Sequence, residues 1–216
     1  MKKNLLTLAF VLVAALPLGA ETSSQTNDYS GTPNFSGTLV FDKLNAAAAG
    51  WTVTQVVVTS TMNIDGFSLT VSNVGAVNAT LDEYAFGAKN RVIITPISAT
   101  NTLLATDTGK PGTVIASGAT VTVNGTHQQA SYTWTITDSS QVSQFLGPGT
   151  FTAEYDATQT KTVSTSGSTQ DRLNPSTSWG SVIVNFFYAI PEPSTWAMIG
   201  GAALMLLVLK RKGEDA

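Results

Sequence analysis

The sequence predicts an all-β protein that contains a single β-sandwich, with jelly-roll or Greek-key connections. Short segments of alternating apolar and polar residues recur along residues 34–190, and Gly, Pro, Asn and Asp mark turns between them. The sequence lacks the strand–helix–strand alternation of an α/β protein. About nine or ten short strands separated by turns are typical of a sandwich.

The first 20 residues have the three parts of a secretory signal peptide. Lys2 and Lys3 form the positive start, residues 5–16 form the apolar core, and residues 17–20 end the segment with small side chains. This apolar core is too short to span a membrane. We therefore expect export of the chain and cleavage after Ala20.

The body begins with a polar segment and a regular strand. Residues 21–33 predict a polar leader arm that ends in an edge strand, and residues 34–41 alternate and predict a strand. A short helical turn is expected at residues 45–50, where four alanines precede Gly50 as the stop. Four residues share the apolar face of the first strand: Phe35, Gly37, Leu39 and Phe41.

Two valine-rich and alternating segments follow. Residues 51–59 predict a strand that is buried on both faces, because its apolar run is nearly continuous and β-branched. Residues 62–72 alternate and are interrupted by Asp65-Gly66, and residues 74–87 predict a strand and a loop. The alternating apolar positions are Ile64, Phe67, Leu69 and Val71.

Proline and glycine shape the expectations for the middle of the chain. Residues 91–97 predict a strand that Pro96 moves to a sheet edge or a bulge, because proline cannot donate a hydrogen bond to a neighbouring strand. Asn124-Gly125 predicts a type I′ hairpin turn. Shorter features are a turn at residues 108–112 and strands at residues 113–116 and 119–123.

The last third of the body predicts strands on either side of one helical turn. Residues 131–138 alternate most clearly, with Tyr132, Trp134 and Ile136 facing inward. A helical turn is expected over residues 138–146, before the Gly-Pro-Gly at residues 147–149. The remaining expectations are a strand face made of Phe151, Ala153 and Tyr155, a weak strand near residues 161–164 within the polar segment 156–178, and a closing strand over residues 180–188.

The C-terminal residues combine a turn, a hydrophobic run and a basic cluster. The apolar run at residues 197–209 has 13 residues, which make about 20 Å of helix against a hydrocarbon core of about 30 Å. A permanent membrane helix and a removable tail both remain open on hydropathy, and the short length and the preceding motif favour the removable tail. The basic cluster is Lys210, Arg211 and Lys212.

This tail resembles the PEP-CTERM sorting signal, found on exported proteins of Gram-negative bacteria that make exopolysaccharide. The resemblance covers residues 191–216, with a hydrophobic helix at residues 196–209 and the basic cluster at residues 210–212; residues 213–216 extend beyond the usual pattern. It implies recognition by an exosortase, a membrane-embedded cysteine protease, then removal of the helix and transfer from a membrane-anchored intermediate to the cell surface or the extracellular matrix. The motif residues are Pro191, Glu192, Pro193, Ser194, Thr195 and Trp196.

The body is similar to the choice-of-anchor E domain. The similarity rests on residues 35–44, the valine-rich residues 51–58, residues 145–150 and the aromatic strand at residues 182–188. Residues 45–50 depart from the tighter connection of that family. The resemblance implies a surface β-domain at residues 34–190 and no particular activity.

Charge and cysteine content limit the partners and the covalent cross-links of the chain. Without both terminal signals the chain keeps six basic and twelve acidic side chains, a net charge of about −6. This balance disfavours nucleic acid as a partner, because there is no basic stripe to meet phosphates. The chain has no cysteine and therefore no disulfide, which is compatible with an oxidising compartment.

The sequence gives no catalytic site. His127 is the only histidine and follows a predicted turn, so we expect it to be a solvated loop residue, and common hydrolase and phosphate-loop motifs are absent. A glycoside hydrolase would need two carboxylates about 5–10 Å apart. The carboxylates available for such a pair are Asp82, Glu83, Glu154, Asp156 and Asp171.

Ligand binding has two candidate chemistries. Calcium is the ion to consider, because four aspartates lie at predicted strand ends, but no dense acidic loop joins them, and we expect no metal site and no cofactor. Among the tryptophans of the body, Trp51, Trp134 and Trp179, we expect Trp134 in the core and Trp179 as the exposed aromatic that could stack on a ligand. The four aspartates are Asp28, Asp42, Asp65 and Asp138.

Three hypotheses follow. The leading one is a non-catalytic surface or matrix protein, linked to exopolysaccharide or biofilm, that works as a structural or adhesive unit. The first alternative is a carbohydrate-binding module, which an exposed row of Trp or Tyr on one sheet face would support and a face of Ser and Thr alone would oppose. The second alternative is a glycoside hydrolase, which needs a close pair of carboxylates.

Overall fold

The computed structural model describes residues 19–174 and 177–190, and they form an all-β protein with antiparallel sheets. Two short α-helices, α1 (Ala46–Ala49) and α2 (Ser139–Ser143), and a 3₁₀ turn at Thr95–Ile97 connect the strands. The strands are β1 (Gly19–Gly31), β2 (Phe35–Asp42), β3 (Thr52–Asp65), β4 (Ser68–Asn73), β5 (Ala79–Ile94), β6 (Ala99–Gly109), β7 (Thr113–Ile115), β8 (Thr120–Asn124), β9 (Gln128–Ile136), β10 (Thr150–Ser166), β11 (Thr169–Asn174) and β12 (Thr177–Ile190).

Three hydrogen-bonded sheets contain these strands. The first sheet has the strand order β1-β12-β3-β9, and the second has the order β2-β10-β5-β6 with β7 beside β5. A third, shorter sheet has the order β11-β4-β8. Each sheet draws its strands from distant parts of the chain, so local sequence alone does not set the order.

The third sheet continues the first one across a bend. Asp65, the last residue of β3, pairs with Thr177, and Ser68, the first residue of β4, pairs with Asn174. Two residues lie between the paired positions on both sides of the ladder. The pairing of β3 with β9 continues into that of β4 with β8 in the same way. Three residues lie between the last pair of one ladder and the first pair of the next, on both sides. The bend is also hydrogen-bonded, since the Gly125 N–H donates to the Phe67 carbonyl (2.8 Å).

The first and second sheets face each other across one apolar core. Val56, Val58 and Phe186 come from the first sheet, and Phe41 and Val92 come from the second, and all five are fully or almost fully buried. Phe145, which follows α2, closes one end of this core against Phe151. This face-to-face packing is sandwich-like.

A second core lies beyond the bend, under the third sheet. Leu69 and Val71 of β4 pack there with Phe86 of β5 and with Met62 and Ile64 from the end of β3. β5 and β10 are 16 and 17 residues long, so they run past both cores and hold them together.

Side chains of β1 close the gap between the two facing sheets at one edge. The Gln25 amide donates to the Asp42 carbonyl (2.8 Å) and accepts from the Asp42 N–H (2.9 Å). The Asn27 amide donates to the Val40 carbonyl (2.7 Å). β2 is an edge strand, so its outer backbone groups would otherwise be free to pair with a strand of another molecule. The two amides supply hydrogen-bond partners for these groups.

Many local expectations are confirmed. α1 ends at Gly50, whose φ of 70° is the left-handed conformation expected of a helix stop. β2 presents its apolar face as predicted, and Asp65-Gly66 does interrupt the alternating segment. The helical turn α2 is also found, and β9 alternates as predicted except at Tyr132, which was expected to face inward and is 42% exposed.

Several other expectations are wrong. Asn124-Gly125 does not form a hairpin turn, because β8 pairs with β4 and β9 pairs with β3. β5 is an inner strand, and Pro96 lies after it in the 3₁₀ turn, where its missing N–H costs no sheet hydrogen bond. β3 buries one face only, since Val56 and Val58 are buried while Val57 is half-buried.

The polar segments contain more strand than predicted. β1 occupies the whole of residues 21–31, where an arm with a terminal edge strand was expected. The weak strand expected near residues 161–164 is part of β10, which continues without interruption from Thr150. β6 had no counterpart among the sequence predictions. In all three cases pairing with a central strand compensates for a low apolar content.

Candidate functional site

Trp179 lies near the start of β12, on the outer face of the first sheet. Gly180 and Val182 occupy buried, inward positions of the strand, and Val182 is in the core. Trp179 therefore points outward, and its side chain is 36% exposed. Trp179 is exposed, as the sequence predicted, and its role in ligand binding stays a prediction.

Polar residues of two neighbouring strands flank Trp179. Ser30 of β1 and Asn63 of β3 are its direct cross-strand partners. Two residues further along the strands, on the same face, Asp28 and Thr61 flank Ser181 in the same way. We call these six residues the Trp179 patch; together with Tyr29 and Gly180 they line a shallow, open depression of about 460 Å³.

The patch offers hydrogen-bonding groups to solvent. The Thr61 and Ser181 hydroxyls lie 3.0 Å apart and bond to each other. Within residues 19–174 and 177–190, neither the Asp28 carboxylate nor the Asn63 amide has a hydrogen-bond partner. A carboxylate and an amide that are free in this way can accept and donate hydrogen bonds to a ligand.

His127 borders the patch. It lies in the loop between β8 and β9 and is exposed, as expected, and its ring centroid is 5.7 Å from that of Trp179 with a tilt of 38°. The bend between the first and third sheets brings this loop to the start of β12. Sequence reasoning did not connect the two residues, because their proximity depends on the pairing of both β9 and β12 with β3.

The other two tryptophans of the body are packed against the first core. Trp51 stacks on Tyr188, with centroids 4.3 Å apart and rings inclined by 8°. Trp134 is partly buried in the edge strand β9 and makes an edge contact with Tyr132 (4.9 Å). Tyr132 is 42% exposed because no strand lies beyond β9 in its sheet. The expectation that Trp134 belongs to the core is confirmed in part, because its side chain packs against the core but is only partly buried.

A buried polar chain lies directly beneath the patch. The Tyr29 hydroxyl donates to the Thr61 carbonyl (2.7 Å) and accepts from the Asn90 amide (2.7 Å). The Asn90 side-chain oxygen in turn accepts from the Asp156 N–H (3.1 Å). Burial raises the pKa of the Tyr29 hydroxyl to about 12, and the hydrogen bond from Asn90 offsets part of this rise. This chain fixes the position of β1, and therefore of Asp28 and Ser30.

Two of the candidate carboxylates lie next to each other on the outer face of the second sheet. Glu154 and Asp156 alternate along β10 and line an open depression of about 370 Å³ on the outer face of the second sheet. Two residues along a strand place their Cα atoms about 6.6 Å apart, which is of the same order as the carboxylate separation of a glycosidase. Asp156 is engaged by Arg91 at 3.5 Å, and both side chains are about half exposed.

Two of the remaining candidate carboxylates have lysine partners, and the third, Asp82, has none among the residues that the structure describes. Glu83 pairs with Lys110 (3.4 Å) at an exposed site, and Asp171 pairs with Lys161. Such exposed ion pairs contribute little to stability. Asp82 is exposed on β5.

The aspartates considered for calcium do not come together. Asp138 caps α2 by accepting from the backbone N–H groups of Ser140 and Gln141 (3.0 and 3.1 Å), and hydrogen bonds from these two residues lower its pKa. Among the residues that the structure describes, no group of three or more His, Cys, Asp or Glu side chains is placed to hold a metal ion. Asp28 and Asp65 belong to the outer face of the first sheet, and Asp42 ends β2.

The residues of the two terminal signals are mostly outside the described part. This holds for the sorting motif, the hydrophobic helix at residues 196–209 and the basic cluster, whereas Ala20 is described as part of β1, paired with Ala189. In the described residues, the helices are too short or too polar to cross a membrane. The predicted cleavage after Ala20 stays a prediction.

Comparisons with known proteins identify no family. No family model matches the chain, and no curated protein matches it. Among solved structures, a chain of the T13 particle of infectious bursal disease virus is 13% identical to this chain, with a TM-score of 0.22. The match covers 81% of this chain and 40% of the viral chain. The VP2 subviral particle of the same virus is 12% identical over 90% and 50%, with a TM-score of 0.23. This chain spans half or less of those proteins, and similarity at this level carries no argument about function.

Proposed function

We propose that the chain is an exported, non-catalytic protein of the cell surface or extracellular matrix. Its β-domain acts there as a structural or adhesive unit, and its C-terminal signal sorts it. The observation that carries the proposal is the pairing of β1 with β12. Gly19 pairs with Ile190, so the end of the predicted signal peptide lies beside the residue that precedes the predicted sorting motif. A precursor held in one membrane by both terminal segments needs both ends to leave the domain at the same place.

The composition of the domain supports a structural rather than a catalytic role. Its outer faces are mostly Thr, Ser, Asn and Gln, and the two depressions described above are open. An enzyme normally places its reacting groups in a site that excludes water. The partners in this proposal are an exosortase-type protease, the inner membrane of a Gram-negative bacterium during transit, and exopolysaccharide outside the cell.

We also infer jelly-roll connections for the two facing sheets. The orders β1-β12-β3-β9 and β2-β10-β5-β6 place early and late strands side by side in both sheets. Strands β1, β2 and β3 alternate between the sheets. Two sheets of four main strands with interleaved halves of the chain are typical of a jelly roll.

Intact mass and peptide mapping of the protein from its native host test the sorting proposal. The expected mature chain begins at Glu21 and ends between Glu192 and Ser194, and it is found outside the inner membrane. Substitution of both motif prolines, Pro191→Ala with Pro193→Ala, should leave an uncleaved chain in the membrane fraction. Pro111→Ala, in the turn after β6, is the matched control and should be processed normally.

Two results would oppose the proposal. A wild-type chain that keeps residues 197–212 in the membrane fraction would show that the tail is itself the anchor. Normal processing of the double proline variant would show that the motif is not what the protease reads.

A further inference from the structure

We infer that the Trp179 patch is a binding site for a polysaccharide that carries no acidic groups, and that one pyranose ring stacks on Trp179. The inference names a ligand class for the proposed surface protein, and it rests on that proposal only for its biological setting. Three features of the patch support it: a stacking surface, free hydrogen-bonding groups and the local charge.

Trp179 supplies the stacking surface. It is the large aromatic side chain most exposed on the outer face of the first sheet, and His127 borders its ring. The apolar face of a pyranose ring packs on an indole, which offers apolar area together with a π-system. Gly180 and Tyr29 fix the backbone next to Trp179, so the platform is held by the core below it.

The surrounding side chains match the hydroxyl groups of a sugar. Asp28 and Asn63 carry free hydrogen-bonding groups, and Ser30 adds a hydroxyl on the same row as Trp179. Small polar side chains and an amide around one aromatic platform can bond hydroxyls that point outward from a stacked ring. Because the depression is open, a polymer can pass across it, and no chain end is required.

The charges on this face select against acidic polymers. Asp65 of β3 lies two residues beyond Asn63 on the outer face, so carboxylates lie on both sides of Trp179. The outward positions of β1, β12, β3 and β9 that the structure describes include no Lys or Arg. A uronic acid polymer would therefore meet like charge, whereas a neutral polymer would not.

The test is retention of the full-length chain, in a detergent without a sugar headgroup, on insoluble or immobilised polysaccharides. The neutral set consists of cellulose, mannan, starch and a β-1,3-glucan, and alginate is the acidic comparison. We expect at least one neutral polymer to retain the protein, and Trp179→Ala to weaken that retention at least tenfold, about 1.4 kcal/mol. Trp179→Phe should restore part of the affinity because it keeps an aromatic face.

Tyr132→Ala is the matched control, since Tyr132 is an exposed aromatic on the edge strand β9 and outside the patch. It should bind the neutral polymer as the wild type does. Near-ultraviolet circular dichroism and thermal unfolding should show an intact fold for the Trp179 and Tyr132 variants, because both of these side chains lie at the surface. Replacing both flanking carboxylates, Asp28→Asn with Asp65→Asn, should increase retention on alginate.

Three results would overturn the inference. One is that no neutral polymer retains the wild type, another is equal retention of wild type and Trp179→Ala, and the third is alginate retained as strongly as the neutral polymers. None of them bears on the processing of the C-terminal tail, which mass mapping measures separately. Failure here would therefore leave the sorting proposal standing, and failure of sorting would leave the binding result interpretable.

Discussion

Tyr29 and Asn90 join the two facing sheets through a hydrogen bond of 2.7 Å that is buried in the interior. Tyr29 belongs to β1 of the first sheet, and Asn90 belongs to β5 of the second. Both residues also bond backbone groups, at Thr61 and Asp156, so one polar chain spans four strands. A satisfied polar chain in a core specifies register, because a shift of one residue would leave its members unpaired.

Loss of the Tyr29 hydroxyl should destabilise the domain. In Tyr29→Phe the Asn90 amide loses an acceptor inside the core, and we expect a cost of about 1–3 kcal/mol in the free energy of unfolding. Urea denaturation measures this value. Tyr132→Phe is the control, because Tyr132 is exposed, and it should change stability by less than about 0.5 kcal/mol. Equal effects of the two changes would contradict a structural role for the Tyr29 hydroxyl.

Alkaline pH should remove part of the contribution of Tyr29. Its pKa is raised from 10.0 to about 12 in the folded protein. The unfolded chain therefore ionises this group first, and stability falls as the pH rises from 10 towards 12, by about 2 kcal/mol in total, while it is unaffected below that window. Denaturation at a series of pH values should show a smaller gap between wild type and Tyr29→Phe at pH 12 than at pH 8.

An absorbance titration gives an independent check of the same shift. The chain has five tyrosines, and one of them should ionise later than the rest in the wild type. In Tyr29→Phe the late component should disappear. Its persistence would assign the raised pKa to another tyrosine.

Gly180 should not tolerate a side chain. A Cβ at this position would lie 2.0 Å from the Thr61 carbonyl oxygen and 2.5 Å from the Tyr29 hydroxyl, and the carbonyl belongs to the sheet and cannot move freely. We expect Gly180→Ala to cost about 1–3 kcal/mol or more. Gly118→Ala, where the added methyl meets nothing within 4 Å, measures the cost of a left-handed φ alone and should be the milder change, as thermal unfolding can show.

The Gln25 amide should protect the edge of β2. Because it accepts from the Asp42 N–H, hydrogen exchange at Asp42 should be slow in the wild type and at least tenfold faster in Gln25→Ala. Thr26→Ala changes the neighbouring exposed residue of β1 and should leave this exchange rate unchanged. Unchanged exchange in Gln25→Ala would show that the edge is protected in another way.

The sequence predicts local features of this fold well, because they depend on neighbouring residues. Gly50 ends α1 as a left-handed stop, and the alternation of β2 and β9 assigns their inner faces. The outward orientation of Trp179 also follows from alternation along its strand.

Features that depend on which strands pair could not be predicted in the same way. Asn124-Gly125 has the composition of a hairpin turn, yet Gly125 lies at the bend, where a Cβ would approach the Phe86 ring to 2.9 Å. The length of β10 comes from its pairing with β5 on one side. The Thr and Gln residues of β10 are polar, so their pattern does not predict a long strand. For the same reason the position of Asp28 and Asn63 beside Trp179 was not predicted, although Asp28 and Ser30 alternate around the buried Tyr29.

The position of β12 between β1 and β3 has a mechanical consequence. Trp179 and Ile190 belong to this one strand and lie about 36 Å apart along it. Tension between a ligand held at Trp179 and an attachment beyond Ile190 would run along a single covalent backbone without crossing the core. Sliding of β12 would strain the ladders on both sides in shear, so many hydrogen bonds would resist together instead of opening one after another.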